Sequence, residues 1–256
     1  MTAAYRARQT FDMGRVIERT FGAVGANGLI LVPIAIAVVG APQAITALVA
    51  TGRTAADDWT GMIGLGSIAL VLGIAGNIVM QGVTTYAVVA DLRGRRAGFG
   101  EALAAALGSF WVLLALGIVV GLATLLGMIV LIVPGVIVAL AWSLVGPVAV
   151  AEKAGVGRAL SRSRDLTRNH RWAILGLMVV YAIAGWVFRM VAGSIATVVM
   201  TTVGIGDTVM WTLVVLTPIL QALLSILGSA GIAAIYVELR QVKEGGEEQN
   251  LAAIFD

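Results

Sequence analysis

Few side chains in this sequence could do chemistry, and they are scattered. The chain has no cysteine and a single histidine, His170, so thiolate chemistry and a zinc site built from several histidines are excluded. Asp91, Glu152 and Glu238 lie close to arginines at the ends of apolar runs, which is typical of interfacial salt bridges. The sequence contains no nucleophile elbow, phosphate-binding loop, HExxH motif or dinucleotide fingerprint. We therefore expect a protein that is not an enzyme and holds no metal or cofactor.

Uncharged polar residues are spaced along two of the apolar runs. Asn77 and Gln81 are four residues apart, so they share one helix face. Gln221, Ser225 and Ser229 follow the same spacing in a later run. If the two faces meet, they either form hydrogen bonds between helices, worth roughly 0.6 kcal/mol per contact, or line a polar cavity for a substrate.

Arg189 lies within an apolar run, and ionisable residues inside a membrane are functional candidates by default. If its helix begins near Trp172, Arg189 lies about 25 Å along a core that is roughly 30 Å thick. It is then either an arginine that extends to the outer interface and meets Asp207, or part of a buried ion pair or anion site. In the first case residues 191–205 would lie on the outer surface. The candidate polar cavity comprises Asn77, Gln81, Arg189, Gln221 and Ser225.

The stretch between two later apolar runs is rich in arginine. Much of this charge is expected from the side of the membrane that the stretch occupies. An anionic headgroup is nevertheless attracted by about 1 kcal/mol per basic residue near the surface. We therefore hypothesise a patch that binds lipid headgroups. Its members are Arg158, Arg162, Arg164, Arg168 and Arg171.

The apolar runs define the fold class. Hydrophobic residues make up 59% of the 256-residue chain and charged residues only 12%, about half the share found in soluble domains. A membrane-spanning helix needs about 20 apolar residues, and the charge-free run 102–151 fits two, with a break at Pro134-Gly135. The sequence therefore predicts a single all-α integral membrane domain with six transmembrane helices. The expected spans are 28–50, 62–90, 103–131, 133–151, 172–192 and 209–237.

The basic residues predict the orientation. Of the 17 lysines and arginines, all but Arg53 and Arg189 fall on the side that the two termini share. The positive-inside rule places that side in the cytoplasm. Residues 1–27 then form a cytoplasmic amphipathic segment, too long and polar for the n-region of a signal peptide. Residues 238–256 form a cytoplasmic tail.

A short motif recurs before two pairs of spans. Ala97-Gly-Phe-Gly-Glu-Ala-Leu103 and Ala154-Gly-Val-Gly-Arg-Ala-Leu160 share A-G-x-G-x-A-L, and Met13-Gly-Arg-Val-Ile17 is a fainter copy. The segment around this last copy is amphipathic, as in a helix that lies in the membrane interface. We therefore predict three hairpins, each preceded by a cytoplasmic interfacial helix. In the first such helix the apolar face comprises Met13, Val16, Ile17, Thr20, Phe21 and Val24, opposite Asp12, Arg15, Glu18 and Arg19.

The second half of the chain contains motifs that resemble a known family. They are Leu131-Ile-Val-Pro-Gly-Val-Ile137, Trp142-Ser-Leu-Val-Gly-Pro147, Glu152, Ala159-Leu-Ser-Arg-Ser163, Leu166-Thr-Arg-Asn-His-Arg-Trp172, Tyr236-Val-Glu-Leu-Arg240 and Lys243-Glu-Gly245. Together they resemble the glycerophosphoryl diester phosphodiesterase membrane domain, a bacterial family. Asn169 stands where that family often has glycine, which leaves the geometry of the turn open.

The resemblance implies a multi-span protein of a bacterial plasma membrane. It implies no esterase, because the catalytic barrel found in fused members is absent, and no functional residue carries over. We expect a non-enzymatic inner-membrane protein that interacts with lipids or acts as a scaffold. Its expected partners are membrane lipids, including anionic headgroups, and an unidentified protein, but no nucleic acid. The alternative function is a transporter or channel for a small or amphipathic molecule.

Overall fold

The computed structural model describes residues 11–50, 59–92, 95–203 and 207–255, and within these ranges it contains helices and no strand. A π-helical turn, Ile36–Gly40, joins the first two α-helices. The α-helices are α1 (Met13–Ala35), α2 (Ala41–Ala50), α3 (Trp59–Leu92), α4 (Phe99–Gly108), α5 (Phe110–Val130), α6 (Ile132–Ala141), α7 (Val145–Ala151), α8 (Val156–Thr167), α9 (Arg171–Val203) and α10 (Asp207–Phe255).

Six helical segments are long and apolar enough to cross a membrane, which confirms the expected all-α membrane protein with six spans. Large apolar side chains such as Leu29, Trp111 and Ile129 are exposed on their outer faces. Exposed apolar surface on this scale needs a lipid environment. The segments are Met13–Leu48, Ile63–Asp91, Phe110–Val130, Ile132–Ala151, Arg171–Val191 and Val215–Glu244.

In the described residues, the predicted interfacial segment around Met13–Val24 is not a separate helix but the first part of α1, so this part of the expected arrangement was wrong. The Asp12 side chain caps α1 by accepting a hydrogen bond from the Gly14 N–H at 2.8 Å. From Met13 the helical backbone continues through the π-helical turn to Ala50. The predicted segment 1–27 therefore joins the span directly, and its first ten residues lie outside the described ranges.

The break between the third and fourth spans lies at Leu131, three residues before the predicted one. Leu131 has an extended backbone, and α6 begins at the next residue. Pro134 falls in the first turn of α6, where a missing N–H costs no helical hydrogen bond. Gly135 has a packing role instead, because a methyl group built there would lie 2.7 Å from the backbone nitrogen of Met128. The Pro-Gly pair thus closes the α5–α6 hairpin.

The repeated motif has the same local structure in its two clear copies. Gly98 and Gly155 both have extended backbones and directly precede α4 and α8. Ala102 and Ala159, four residues after these glycines, are fully buried. The equivalence supports repeated units in the second and third hairpins.

The fifth span also differs from the expectation. Helix α9 continues past Val191 to Val203 without a break. Residues 191–203 therefore extend that helix, and no separate surface segment begins at Val191. The structure does not describe residues 204–206.

Candidate functional site

One end of the bundle, which we call the basic end, is held together by ion pairs to Glu238 of α10. Its carboxylate is only 2% exposed and accepts hydrogen bonds from Arg15 Nε at 2.9 Å and Nη2 at 2.6 Å. Arg19 Nη1 lies 2.8 Å from the other carboxylate oxygen. Two arginines on successive turns of α1 thus neutralise one buried acid, so Glu238 is not a free catalytic carboxylate.

A second polar network at the basic end links α7, α8 and α10. Glu152 accepts hydrogen bonds from the Tyr236 hydroxyl at 3.1 Å and from Arg162 Nε at 3.3 Å. Arg162 also pairs with Glu244, which Arg240 contacts at 2.6 Å. Partial burial alone would lower the pKa of Arg162, but Glu152 and Glu244 outweigh that effect and raise it. The predicted salt bridges of Glu152 and Glu238 with arginines are therefore confirmed, whereas the described residues show none for Asp91.

Helix α8 is fixed by hydrogen bonds to a break in the fourth span. The chain leaves the helical path between Ala141 and Val145, which frees backbone groups inside the protein. Ser163, fully buried, donates to the Ala141 carbonyl at 2.9 Å and accepts from the Leu144 N–H at 3.2 Å. Thr167 donates to the same carbonyl at 3.3 Å. A buried backbone group needs such a partner, so the break and α8 depend on each other.

Ser163→Ala should lower the free energy of unfolding by about 1–3 kcal/mol, because the buried Leu144 N–H loses its partner. Thr167 still donates a hydrogen bond to the Ala141 carbonyl, which keeps the loss of stability within this range. The measurement is the melting temperature of the purified protein in detergent. The matched control is Ser161→Ala, two residues away on α8, because Ser161 is exposed and its one hydrogen bond among the described residues is to the Arg158 carbonyl. Equal melting temperatures for Ser163→Ala and Ser161→Ala would contradict this role for Ser163.

A basic pocket of about 620 Å³ lies at the turn between α8 and α9. We call it the arginine pocket, and Arg164, Arg168, Arg171 and Trp172 line it. The Nε of Arg171 is buried and has no hydrogen-bond partner among the described residues. Of the other members of the predicted headgroup patch, Arg162 is held in the ion network and Arg158 is exposed outside the pocket. The patch is therefore smaller than the sequence suggested.

Asn169 shapes the turn of the arginine pocket. Its φ of 72° lies in the left-handed region, which asparagine tolerates better than most residues other than glycine. The His170 N–H donates to the Thr167 carbonyl at 3.1 Å and closes the turn. Asparagine therefore adopts here a backbone conformation that glycine also favours.

A second cavity, which we call the groove, lies between α2, α3, α5 and α10 and has a volume of about 1050 Å³. Asn77, Gln81, Ser225 and Ser229 all line it. The Ser225 hydroxyl donates to Asn77 Oδ1 at 3.3 Å, while Asn77 Nδ2 donates to the Gly73 carbonyl at 2.8 Å. The two polar faces therefore meet across a cavity. Gln221 is not among its lining residues.

Arg189 does not contribute to the groove. Its side chain is exposed on α9, and the described residues form no ion pair with it. This placement favours the first interpretation, an arginine that extends outward, and disfavours the second, a buried ion pair or anion site. The side chain of Asp207, its suggested partner, lies outside the described part of the structure.

Sequence reasoning missed the arginines that bind Glu238. Arg15 and Arg19 were assigned to the charged outer face of α1, yet Val16 and Thr20 beside them are fully buried against the bundle. The Thr20 hydroxyl lies 2.9 Å from the Tyr181 hydroxyl. The available signal was the acid in the Tyr236–Arg240 motif, which needed a basic partner from another helix.

Comparison with known proteins gives a family without a described activity. The model of a domain of unknown function, DUF7847, matches residues 11–239. The chain belongs to this family. No curated protein and no solved structure matches the chain. The DUF7847 match covers the ion pairs to Glu238, the arginine pocket and the groove, whereas Arg240 and Glu244 of the second network lie beyond it. The resemblance to the glycerophosphoryl diester phosphodiesterase membrane domain stays a prediction.

Proposed function

We propose that this protein is a non-enzymatic module of the bacterial inner membrane that binds anionic lipid headgroups at its cytoplasmic face. The observation that carries the proposal is the arginine pocket. Arg164, Arg168 and Arg171 converge on it, and the buried Nε of Arg171 lacks a partner within the described residues. Arginine presents planar N–H groups that match phosphate oxygens, which suits this pocket to a phosphodiester.

The depth of the pocket supports a lipid rather than a soluble ligand. Arg171 is the first residue of the fifth apolar span, so the pocket lies at the level expected for headgroups. Trp172 beside it is 85% exposed, and tryptophan is enriched at membrane interfaces. Arg15, Arg19, Arg162 and Arg240 are engaged by carboxylates. The pocket is lined by three arginines and one acid, Asp165, so it keeps the net positive charge that a headgroup requires.

The distribution of basic residues supports the proposed orientation. The arginines of α1, α8 and the end of α10 meet at the basic end. By the positive-inside rule this end lies in the cytoplasm together with both termini. The inner leaflet of such a membrane is rich in anionic lipid, so the arginine pocket would face its ligand.

Arg164→Ala/Arg168→Ala should weaken binding of phosphatidylglycerol about 30-fold, since each arginine contributes about 1 kcal/mol. Calorimetric titration of the detergent-solubilised protein with a short-chain, water-soluble phosphatidylglycerol measures this change. Phosphatidylcholine of the same chain length tests whether net negative charge is required. Inorganic phosphate distinguishes a lipid site from a general phosphate site.

The matched control for this titration is Arg96→Ala/Arg158→Ala. It removes the same charge from exposed positions outside the pocket, and we expect less than a twofold change. If both double variants lose affinity equally, binding depends only on general positive charge. Unchanged affinity in Arg164→Ala/Arg168→Ala would refute the proposal.

A second candidate function is transport of a small or amphipathic molecule. The groove favours it, because it places polar side chains in the middle of the spans and lies beside an irregular helix. Many transporters bind substrate at the midplane among broken helices. Faster passage of a neutral amphipathic dye across vesicles that contain the protein, compared with empty vesicles, would favour transport over headgroup binding alone.

A further inference from the structure

The groove has a polar centre deep in the membrane-spanning region. The contact between Ser225 and Asn77 lies about 20 Å from Asp91 and from Glu238, at a rise of 1.5 Å per residue. Both acids lie near the basic ends of their spans. The hydrocarbon core is about 30 Å thick, so this contact lies inside the core, about 10 Å from the headgroup layer opposite the basic end. A molecule that binds here must therefore be compatible with hydrocarbon.

Several polar groups in the groove have unused hydrogen-bonding capacity. In the described structure, the side-chain amides of Gln43 and Gln81 and the hydroxyl of Ser229 form no hydrogen bond. The Gln81 amide packs closely on Gly146 of α7, where a methyl group would overlap it. Polar groups in hydrocarbon are costly without partners. These groups could be satisfied by a ligand that offers donors and acceptors.

Glycines give the groove its open shape. A methyl group built on Gly66, Gly117 or Gly228 would meet no atom within 4 Å, so these residues leave space that larger side chains would fill. The flanking Leu70, Ile74 and Ile118 are each at least half exposed. The groove is therefore accessible from the lipid phase and has apolar walls on both sides of its polar centre.

We infer that the groove binds a neutral lipid that has one long apolar chain and a hydroxyl or amide head. The apolar walls would accommodate the chain, and the polar centre would bind the head. A charged head is disfavoured because no ionisable residue among those the structure describes lines the groove, so an ion at this depth would lack a counter-charge. The inference rests on the groove alone and is independent of headgroup binding at the arginine pocket.

The test uses photo-labelling with a monoacylglycerol that carries a diazirine in its acyl chain. Labelled peptides from the protein in vesicles are identified by mass spectrometry. We expect labels concentrated on α3, α5 and α10 around the groove. Excess unlabelled monoacylglycerol should suppress them, whereas phosphatidylglycerol should compete at least tenfold less well.

Variants of α5 make this test specific. Gly117→Leu should reduce the labelling of the groove at least tenfold, because leucine would occupy the space that Gly117 leaves. The control is Gly121→Leu, one turn along the same helix, which is equally unobstructed but lies outside the groove and should keep wild-type labelling. Melting curves verify that both variants fold.

The inference would be overturned by labels spread evenly over all exposed helices. Equal labelling of Gly117→Leu and Gly121→Leu would also overturn it, as would equal competition by phosphatidylglycerol. Gln81→Leu provides a second readout. Because it keeps the size of the side chain but removes the amide, it should weaken competition by monoacylglycerol and leave competition by a plain alkane unchanged.

Discussion

Arg15→Ala/Arg19→Ala is expected to lower the free energy of unfolding by about 3–5 kcal/mol, the usual cost of leaving a buried charge without its partner. Glu238 is 2% exposed, so water cannot replace the two guanidinium groups. The affected contact joins the start of α1 to α10, the first and last spans of the chain. Denaturant titration of the protein in mixed micelles measures the change.

Two further variants separate the buried charge from general effects of arginine loss. Arg96→Ala/Arg158→Ala removes two exposed arginines and should change stability by less than about 0.5 kcal/mol. Arg15→Leu/Arg19→Leu/Glu238→Leu removes the acid as well and should recover much of the lost stability, because an apolar replacement of a buried ion group is often tolerated. If the double alanine variant unfolds like the wild type, the ion group does not stabilise the bundle.

Gly76→Ala should also destabilise the bundle, because α3 and the π-helical turn touch there without side chains between them. A methyl group on Gly76 would overlap the Val38 carbonyl oxygen and lie 2.6 Å from its carbon. Backbone atoms cannot rotate out of the way as a side chain can, so α3 and the π-helical turn must move apart. Overpacking of this kind typically costs about 1–3 kcal/mol. We expect a lower melting temperature and poorer yield from membranes.

Gly64→Ala is the matched control on the same helix. A methyl group at Gly64 meets no atom within 4 Å, and alanine favours a helix by up to about 1 kcal/mol relative to glycine. The two substitutions should therefore change stability in opposite directions. Destabilisation of the same size in both variants would show that a general effect of adding a methyl group to α3, rather than the contact with Val38, determines the result.

The sequence was sufficient to predict the spans because each one is a local signal. A run of apolar residues long enough to cross a bilayer identifies a membrane helix wherever it lies. The spacing of Asn77 with Gln81 and of Ser225 with Ser229 identified two polar helix faces, but it left open whether those faces meet. The sequence left two positions open for Arg189, and its exposed side chain favours the outward one.

Contacts between residues far apart in the chain could not be predicted from local sequence patterns. The amphipathic start of α1 resembles an interfacial helix because the pattern cannot show that Glu238, far away in the chain, binds Arg15 and Arg19. The proline rule placed a break at Pro134, yet a proline in a first turn looks the same in sequence as one that ends a helix. Ser163 gave no sign of its role, because the break at residues 142–144 has no proline.

Headgroup binding at the arginine pocket is tested most directly by native mass spectrometry. The protein is released from nanodiscs that contain equal amounts of phosphatidylglycerol and phosphatidylcholine. We predict that the wild type and Arg96→Ala/Arg158→Ala retain mainly phosphatidylglycerol, whereas Arg164→Ala/Arg168→Ala retains neither lipid preferentially. Retention of the two lipids in equal amounts by the wild type would contradict the proposed function.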